Sequence, residues 1–497
     1  MSLHSRRLSV LALFTPLLTS ACVVGPNFKR PAPPATASYT PQPLPPTQAT
    51  PGAPGGKAQH FVSGADIPAD WWTVFHSREL NALIELALAN NADLKAAQAA
   101  LFVAHENTLA QHGAYAPKVT AGASITRVRD PSGTLAPVPS NNAFLYTLIT
   151  PELSVSYTPD VFGLTRRTVE ASAAQEEASR YQMIAVDITL SANVTAAVIE
   201  EASLEDQIET TDELISIDRQ MLSLLQYQHS KGYVAGPGVA AQQAQLEQLQ
   251  ATLPPLLKQR EQQDHLIAVL TGRFPSQVPG QKLKLASLSL PADLPLSLPS
   301  ALVAQRPDVL QAEANMHAAS AQIGVATANR LPNITLSANA GSNALAIGQL
   351  FGPGTGFWNI GAALLAPIFD GGTLLHQQRG ARAAYQQSAE QYRSTVLTAF
   401  QNVADTLSAL EHDAETLKST AAAADAAKTS LDLSRLRYKD GYDSYLAVLT
   451  AQQTCQQARL ALVQAEAARF TDTAALFQAL GGGWWHRPDL IRTAHAS

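Results

Sequence analysis

Cysteine, charge and aromatic side chains are all scarce in this chain. Two cysteines in 497 residues, Cys22 and Cys455, exclude a disulfide framework. Cys455 sits in a helical pattern and reads as a small packed side chain. Charged residues make up only 15%, against the ~25% usual for soluble domains. Lys and Arg are neither abundant nor clustered and the net charge is -6, so nothing recruits nucleic acid. There is no Gly-x-Ser-x-Gly elbow, no P-loop and no His-Glu-x-x-His. The run Gly352-Pro353-Gly354-Thr355-Gly356 lacks the dinucleotide fingerprint, and the 12 histidines are scattered. The chain is therefore expected to be no enzyme, with no cofactor and no metal.

Glycine and proline are missing where their absence matters most. Between Gly163 and Gly232 lie 68 residues without either, and between Gly380 and Gly441 lie 60. At ~1.5 Å per residue such helices reach roughly 90 to 100 Å, longer than a compact domain needs. Val194, Val198, Leu204, Ile208, Ile215, Leu222 and Leu225 recur along the first at coiled-coil spacing. Each run turns at a glycine-tyrosine pair, Gly232-Tyr233 or Gly441-Tyr442, and returns, from Val239 to Leu270 and from Leu446 to Leu480. Pro254-Pro255 is expected to interrupt the first return.

What is present is a duplication. The helix-like run from Asp93 to Pro117 is copied from Asp308 to Pro332, with the proline 24 positions after the acid in both. Gly232-Tyr233 answers Gly441-Tyr442 at an offset of 209, and Leu270-Thr271-Gly272 answers Leu480-Gly481-Gly482 at 210. Three matches in register indicate two structural halves. After each proline the pattern changes to period two. Val119, Ala121, Ala123 and Ile125 alternate with polar residues, as do Ile334, Leu336, Ala338 and Ala340. Partner strands carry Leu153, Val155 and Tyr157 in one half and Trp358, Ile360, Ala362, Leu364 and Ile368 in the other.

Pro117, Pro159, Pro332 and Pro367 stand where strand should meet helix, a seam that suits a residue unable to donate to a ladder. Pro151 fits less well and is placed near a strand start or at a bulge. Roughly ten-residue alternating strands with charges at their ends suit an outer-membrane barrel. Four cannot close one, and an open edge in lipid is forbidden, so spanning requires oligomerisation, with three copies supplying twelve strands. Two hairpins on a soluble sheet are the competing reading.

Residues 1–21 read as an export signal: Arg6 and Arg7, the apolar run Leu8 to Leu18, then small residues before Cys22. The stretch LLTSAC resembles a bacterial lipoprotein signal, in which the cysteine receives lipid; Thr19 stands where that pattern prefers Leu. From Pro26 to Pro54 ten prolines make an extended strap. The expected division is 1–21 signal peptide, 22–66 lipidated Pro-rich strap, 67–280 first repeat, 281–300 linker, 301–483 second repeat and 484–497 tail. Strands are expected at about 117–129, 145–159, 332–341 and 357–369.

In sum, CVVGPNFKRP after the signal, the helix-strand repeat, RYKDGYDSYLAVLTAQQ at 437–453 and ALGGGWW at 479–485 resemble the TolC-like outer-membrane efflux channels, in particular the lipidated NodT-like branch serving resistance-nodulation-division pumps. The resemblance implies a mainly α fold with a membrane β-barrel portion: a homotrimer with four strands per chain in a shared 12-stranded barrel, above a periplasmic helical tunnel. It implies passive conduction of small toxic compounds expelled by an inner-membrane pump through a periplasmic adaptor, and attachment to outer-membrane lipid at Cys22. Gly232, Tyr233, Gly441, Tyr442 and Ser444 would form the periplasmic tip that meets the adaptor. Tyr438 matches a gate tyrosine. The family's acidic ring positions hold Ala447 and Thr450 instead, leaving Asp440 and Asp443 as candidates for pore charge. A non-conducting coiled-coil lipoprotein or adhesin stalk is the alternative.

Overall fold

The computed structural model describes residues 23–36, 38–131, 144–277 and 283–492. The expected export signal and the expected lipid attachment at Cys22 lie outside the described residues, as do residues 493–497 of the tail. The chain divides into two compact units. One comprises the described parts of residues 1–30, 102–178 and 312–392; the other comprises 31–101, 179–311 and 393–497.

The first unit is built on an antiparallel sheet of four strands in the order β2-β3-β5-β6. They are β2 (Lys118–Arg129), β3 (Leu145–Tyr157), β5 (Asn333–Ser342) and β6 (Gly356–Leu365). The hairpins of the two repeats join through β3 and β5, from Glu152↔Gly341 to Tyr157↔Leu336. Among the described residues the outer strands β2 and β6 pair on one side only. Ile125 is 72% exposed and Trp358 76%, so apolar side chains at both edges stand uncovered by this chain.

Pro151 is neither at a strand start nor at a bulge. It lies in the middle of β3, opposite Ala123 of β2. The β3–β5 ladder begins at Glu152, and beyond Pro151 only the bridge Ile149↔Ala344 continues it. A residue without an N–H is tolerated because the ladder is broken there.

Each long helix starts on an aspartate. The backbone N–H groups of Thr165 and Arg166 donate to the Asp160 carboxylate at 3.0 and 2.8 Å. Those of Gly372 and Leu374 donate to Asp370, both at 2.8 Å. The carboxylates satisfy amides that have no partner in the first helical turn. They launch α3 (Leu164–Ser230) and α7 (Thr373–Lys439).

The second unit is mainly helical. α3 returns as α4 (Gly236–Leu270), and α7 returns as α8 (Tyr445–Ala479). Leu214, Ile215, Leu246 and Leu249 form the seam of the first hairpin. Ala427, Leu431, Val448, Ala451 and Cys455 form that of the second. Cys455 stands 209 residues after Leu246, so the thiol fills the place a leucine fills in the other copy. Pro254-Pro255 does not interrupt α4, which runs through both. The two donors lost there are offset by packing, since Leu249 is buried in the seam and Leu253 packs against it.

Other elements close the ends of these hairpins. β1 (His60–Ser63) pairs in parallel with β4 (Asp293–Leu296), so the strap and the linker between the halves are both drawn into structure. α1 (Arg78–Asn90) leads to α2 (Ala92–His112), and α5 (Pro299–Gln305) leads to α6 (Pro307–Ala328). Trp71 stacks on Phe477 with ring centroids 5.6 Å apart and Phe75 lies near Phe470. Burying each such aromatic contributes about 1.5–3 kcal/mol. The tail returns through Trp484, whose indole N–H donates to the Gln305 carbonyl oxygen at 2.6 Å. It ends in α9 (Pro488–Arg492), where Arg487 bridges Asp187 and Asp489.

At the start of α2, Asn91 accepts from the amides of Asp93 and Leu94 and donates to the carbonyl oxygen of Leu270 at 3.0 Å. At the start of α6, Arg306 holds Asp308 and donates to the carbonyl oxygens of Ala479 at 2.9 Å and Ala399 at 3.3 Å. The duplication therefore extends to how each return helix is terminated. Unlike side chains perform the same task.

Candidate functional site

The two hairpin turns share one geometry. Gly232 (φ 77°) and Gly441 (φ 79°) adopt the left-handed conformation. The Tyr233 amide donates to Gln228 and the Tyr442 amide to Arg437, both at 2.9 Å, while Gly232 and Gly441 donate to His229 and Tyr438. This is the Schellman closure, in which glycine avoids the Cβ penalty and the last carbonyls are satisfied. It leaves both tyrosines outward: Tyr233 is 80% exposed and Tyr442 78%. Ser444 is exposed at the N-terminal boundary of α8.

The gate candidates separate. Asp443 is held by Arg437 at 2.8 Å, so its charge is compensated. Asp440 is exposed. Tyr438 turns inward, its ring 5.3 Å from that of Tyr445. Beneath them lies a polar cluster that sequence reasoning missed. Gln452 donates to the Asp218 carboxylate at 2.7 Å, Gln242 donates to the Asp218 carbonyl oxygen at 3.1 Å, and Tyr445 bonds to Gln242. Asp218 is 4% exposed. Burial pushes its carboxyl upward, opposed by Arg435. Three helices, α3, α4 and α8, thus meet on one buried acid. Asp218 occurs in only one repeat, Ala427 standing at the equivalent place. An acid among apolar seam positions was the available signal.

In the first unit, Pro159, Pro332 and Pro367 line a single cavity of about 390 Å³, together with Phe162, Leu331 and Leu365. Pro117 is not among its lining residues; it precedes Lys118, whose partner is Ser156. Beside the cavity the N-terminal arm is tied down: Arg167 donates to the carbonyl oxygens of Val24 and Gly25 and to the Asn27 side chain. Among the described residues no group of three or more metal-ligating side chains occurs.

With this geometry in view, the comparisons are consistent. The family model described as outer membrane efflux protein matches residues 83–273 and 298–482. The chain is 31% identical to the pyoverdine export outer membrane protein OpmQ of Pseudomonas putida over 451 residues, covering 89% of this chain and 94% of that one. It is 29% identical to the outer membrane protein OprJ of Pseudomonas aeruginosa, covering 96% of each. The outer-membrane channel OprN superposes with a TM-score of 0.82 at 26% identity, covering 93% of this chain and all of that one. The alternating strands and the long duplicated hairpins are thus those of a TolC-like channel of the outer membrane, and the chain belongs to the outer membrane efflux protein family.

Proposed function

We propose that three copies of this chain join their sheets edge to edge into a twelve-stranded barrel, and that the pore passively conducts small toxic compounds expelled by an inner-membrane resistance-nodulation-division pump. The observation that carries this is the pair of open edges on β2 and β6 with exposed apolar side chains. In lipid, unpaired backbone groups cost several kcal/mol each, so the edges must be paired. A coiled-coil stalk has no use for such strands.

The tip formed by Gly232, Tyr233, Gly441, Tyr442 and Ser444 meets the periplasmic adaptor, through exposed aromatic rings on rigid turns. Tyr438 and the Asp218 cluster hold the pore closed, and Asp440 contributes the pore charge more than Asp443, which Arg437 already compensates. Cys22 carries the lipid anchor. The name of one relative refers to pyoverdine export; for this chain the cargo class is small toxic compounds. Purified protein in planar bilayers tests the reading. Discrete conductance steps, more frequent once the Asp218 cluster is removed, are expected, and a protein that never conducts after that loosening is a stalk.

A further inference from the structure

The cavity at the strand-helix junction has a volume, a lining and a neighbour that together point to an occupant. Its wall comes from three connections: β3 to α3, α6 to β5, and β6 to α7. Phe162, Leu164, Leu331 and Leu365 supply apolar surface. Its volume of about 390 Å³ falls in the range of ligand clefts, ~300–1,000 Å³. At roughly 30 Å³ for a water-sized group, that volume matches on the order of a dozen methylenes.

The described chain begins beside two of its lining residues, Phe162 and Leu164. The Val24 amide donates to the Phe162 carbonyl oxygen at 3.1 Å. Gly163 lies between the lining residues Phe162 and Leu164, and a Cβ placed on it would stand 2.8 Å from Val23 Cγ1. Several contacts hold the arm in place. Arg167, whose side chain is 3% exposed, binds Val24, Gly25 and Asn27 and is itself held by Glu170. Gly25 packs so closely on Gly324 that a Cβ would lie 2.4 Å from its Cα. Phe28 stacks on His317 with centroids 4.5 Å apart, and Arg30 pairs with Glu313 at 2.9 Å.

We propose that this cavity is the seat of one acyl chain carried by Cys22. This rests on the reading of Cys22 as the lipidated residue. Val23 and Val24 lie against Gly163 and Phe162 at the cavity wall, so an acyl chain attached one residue earlier spans the remaining distance with its own methylenes. The remaining acyl chains enter the bilayer. The anchor is then a structural part of the junction as well as a tether.

The full-length lipoprotein is expressed in a host with an outer membrane, fed a palmitate analogue bearing a diazirine, irradiated and mapped by peptide mass. The mass of the N-terminal peptide reports acylation of Cys22 by itself. With Cys22 acylated, crosslinks are expected on residues 158–165, 328–334 or 365–374, and Ala366→Trp, which fills the cavity, should reduce them several-fold while acylation persists. Cys22→Ser should abolish them. Crosslinks only on the outer strand faces with Cys22 acylated overturn the seat and spare the anchor. Equal labelling of the cavity in Cys22→Ser assigns it to free membrane lipid and overturns the proposal. An unacylated Cys22 overturns seat and anchor together.

Discussion

Arg306 and Ala479 are joined across 173 residues by a 2.9 Å hydrogen bond from the guanidinium to the last carbonyl oxygen of α8. The same guanidinium holds Asp308 at 2.6 Å and reaches Ala399. Arg306 is 8% exposed, so Arg306→Met leaves the buried Ala479 carbonyl at the end of α8 without a donor and Asp308 without its partner, while Ala399, inside α7, keeps its own helical hydrogen bond. The expected loss is about 2–4 kcal/mol. Thermal unfolding of the detergent-solubilised protein, followed by far-ultraviolet circular dichroism, measures it.

Glycine substitutions should sort by what surrounds them. A Cβ on Gly441 meets nothing within 4 Å, so Gly441→Ala costs only its left-handed backbone, about 1–2 kcal/mol. On Gly272 the added carbon would lie 2.6 Å from the Asn90 carbonyl oxygen, so Gly272→Ala should lower the melting temperature more. Equal shifts for the two variants would count against the backbone geometry described.

Glu466 gives a pH dependence with a definite sign. Burial, and then the charge of Asp206, push its carboxyl up to about 7. The folded state therefore binds a proton more tightly than the unfolded chain. Its contribution is fully present below about pH 4.5 and is lost as pH rises towards 7. Glu466→Gln should leave stability at pH 4.5 unchanged and raise it by about 1–2 kcal/mol at pH 8, with allowance for partial solvent screening. Melting curves at the two pH values suffice.

Asp218 should behave as a latch. Asp218→Ala and Gln452→Ala each remove the 2.7 Å bond between α3 and α8. Both are expected to raise open probability in planar bilayers. The double variant should add little beyond Asp218→Ala, because the residues share one interaction. Full additivity would mean that they act separately.

The helix starts allow a paired comparison. Asp160→Ala and Asp370→Ala each remove a carboxylate that accepts two backbone amides. Each should cost about 1 kcal/mol, and asparagine at either position should recover only part of it, because the two amides bind different carboxylate oxygens and asparagine offers one acceptor. The melting temperatures of the four variants settle the point.

Much of this architecture was legible because its signals are periodic. The glycine-free and proline-free runs predicted long helices, and 67-residue helices are there. Period-two alternation after Pro117 and Pro332 revealed strands because one face of each is apolar. The parts that stayed hidden depend on contacts distant in sequence. Asn91 and Arg306 share no chemistry, so their common role at Leu270 and Ala479 emerges only once the helices are packed. Pro151 misled because a strand's tolerance for proline depends on where the neighbouring ladder ends. The twin prolines of α4 misled because local propensity was outweighed by the leucine seam. Asp218 was overlooked as one acid among many, and its burial is set by two other helices.

The half-finished sheet also governs how the molecule comes into being. A lone chain presents β2 and β6 as two sticky borders, each with backbone groups that seek a partner and apolar side chains that shun water. Such a species is the most aggregation-prone on the route to the finished channel, so its survival depends on concentration and on the speed of encounter with other copies. Assembly before insertion should therefore be kinetically second order or higher. Slow synthesis would favour degradation over pores.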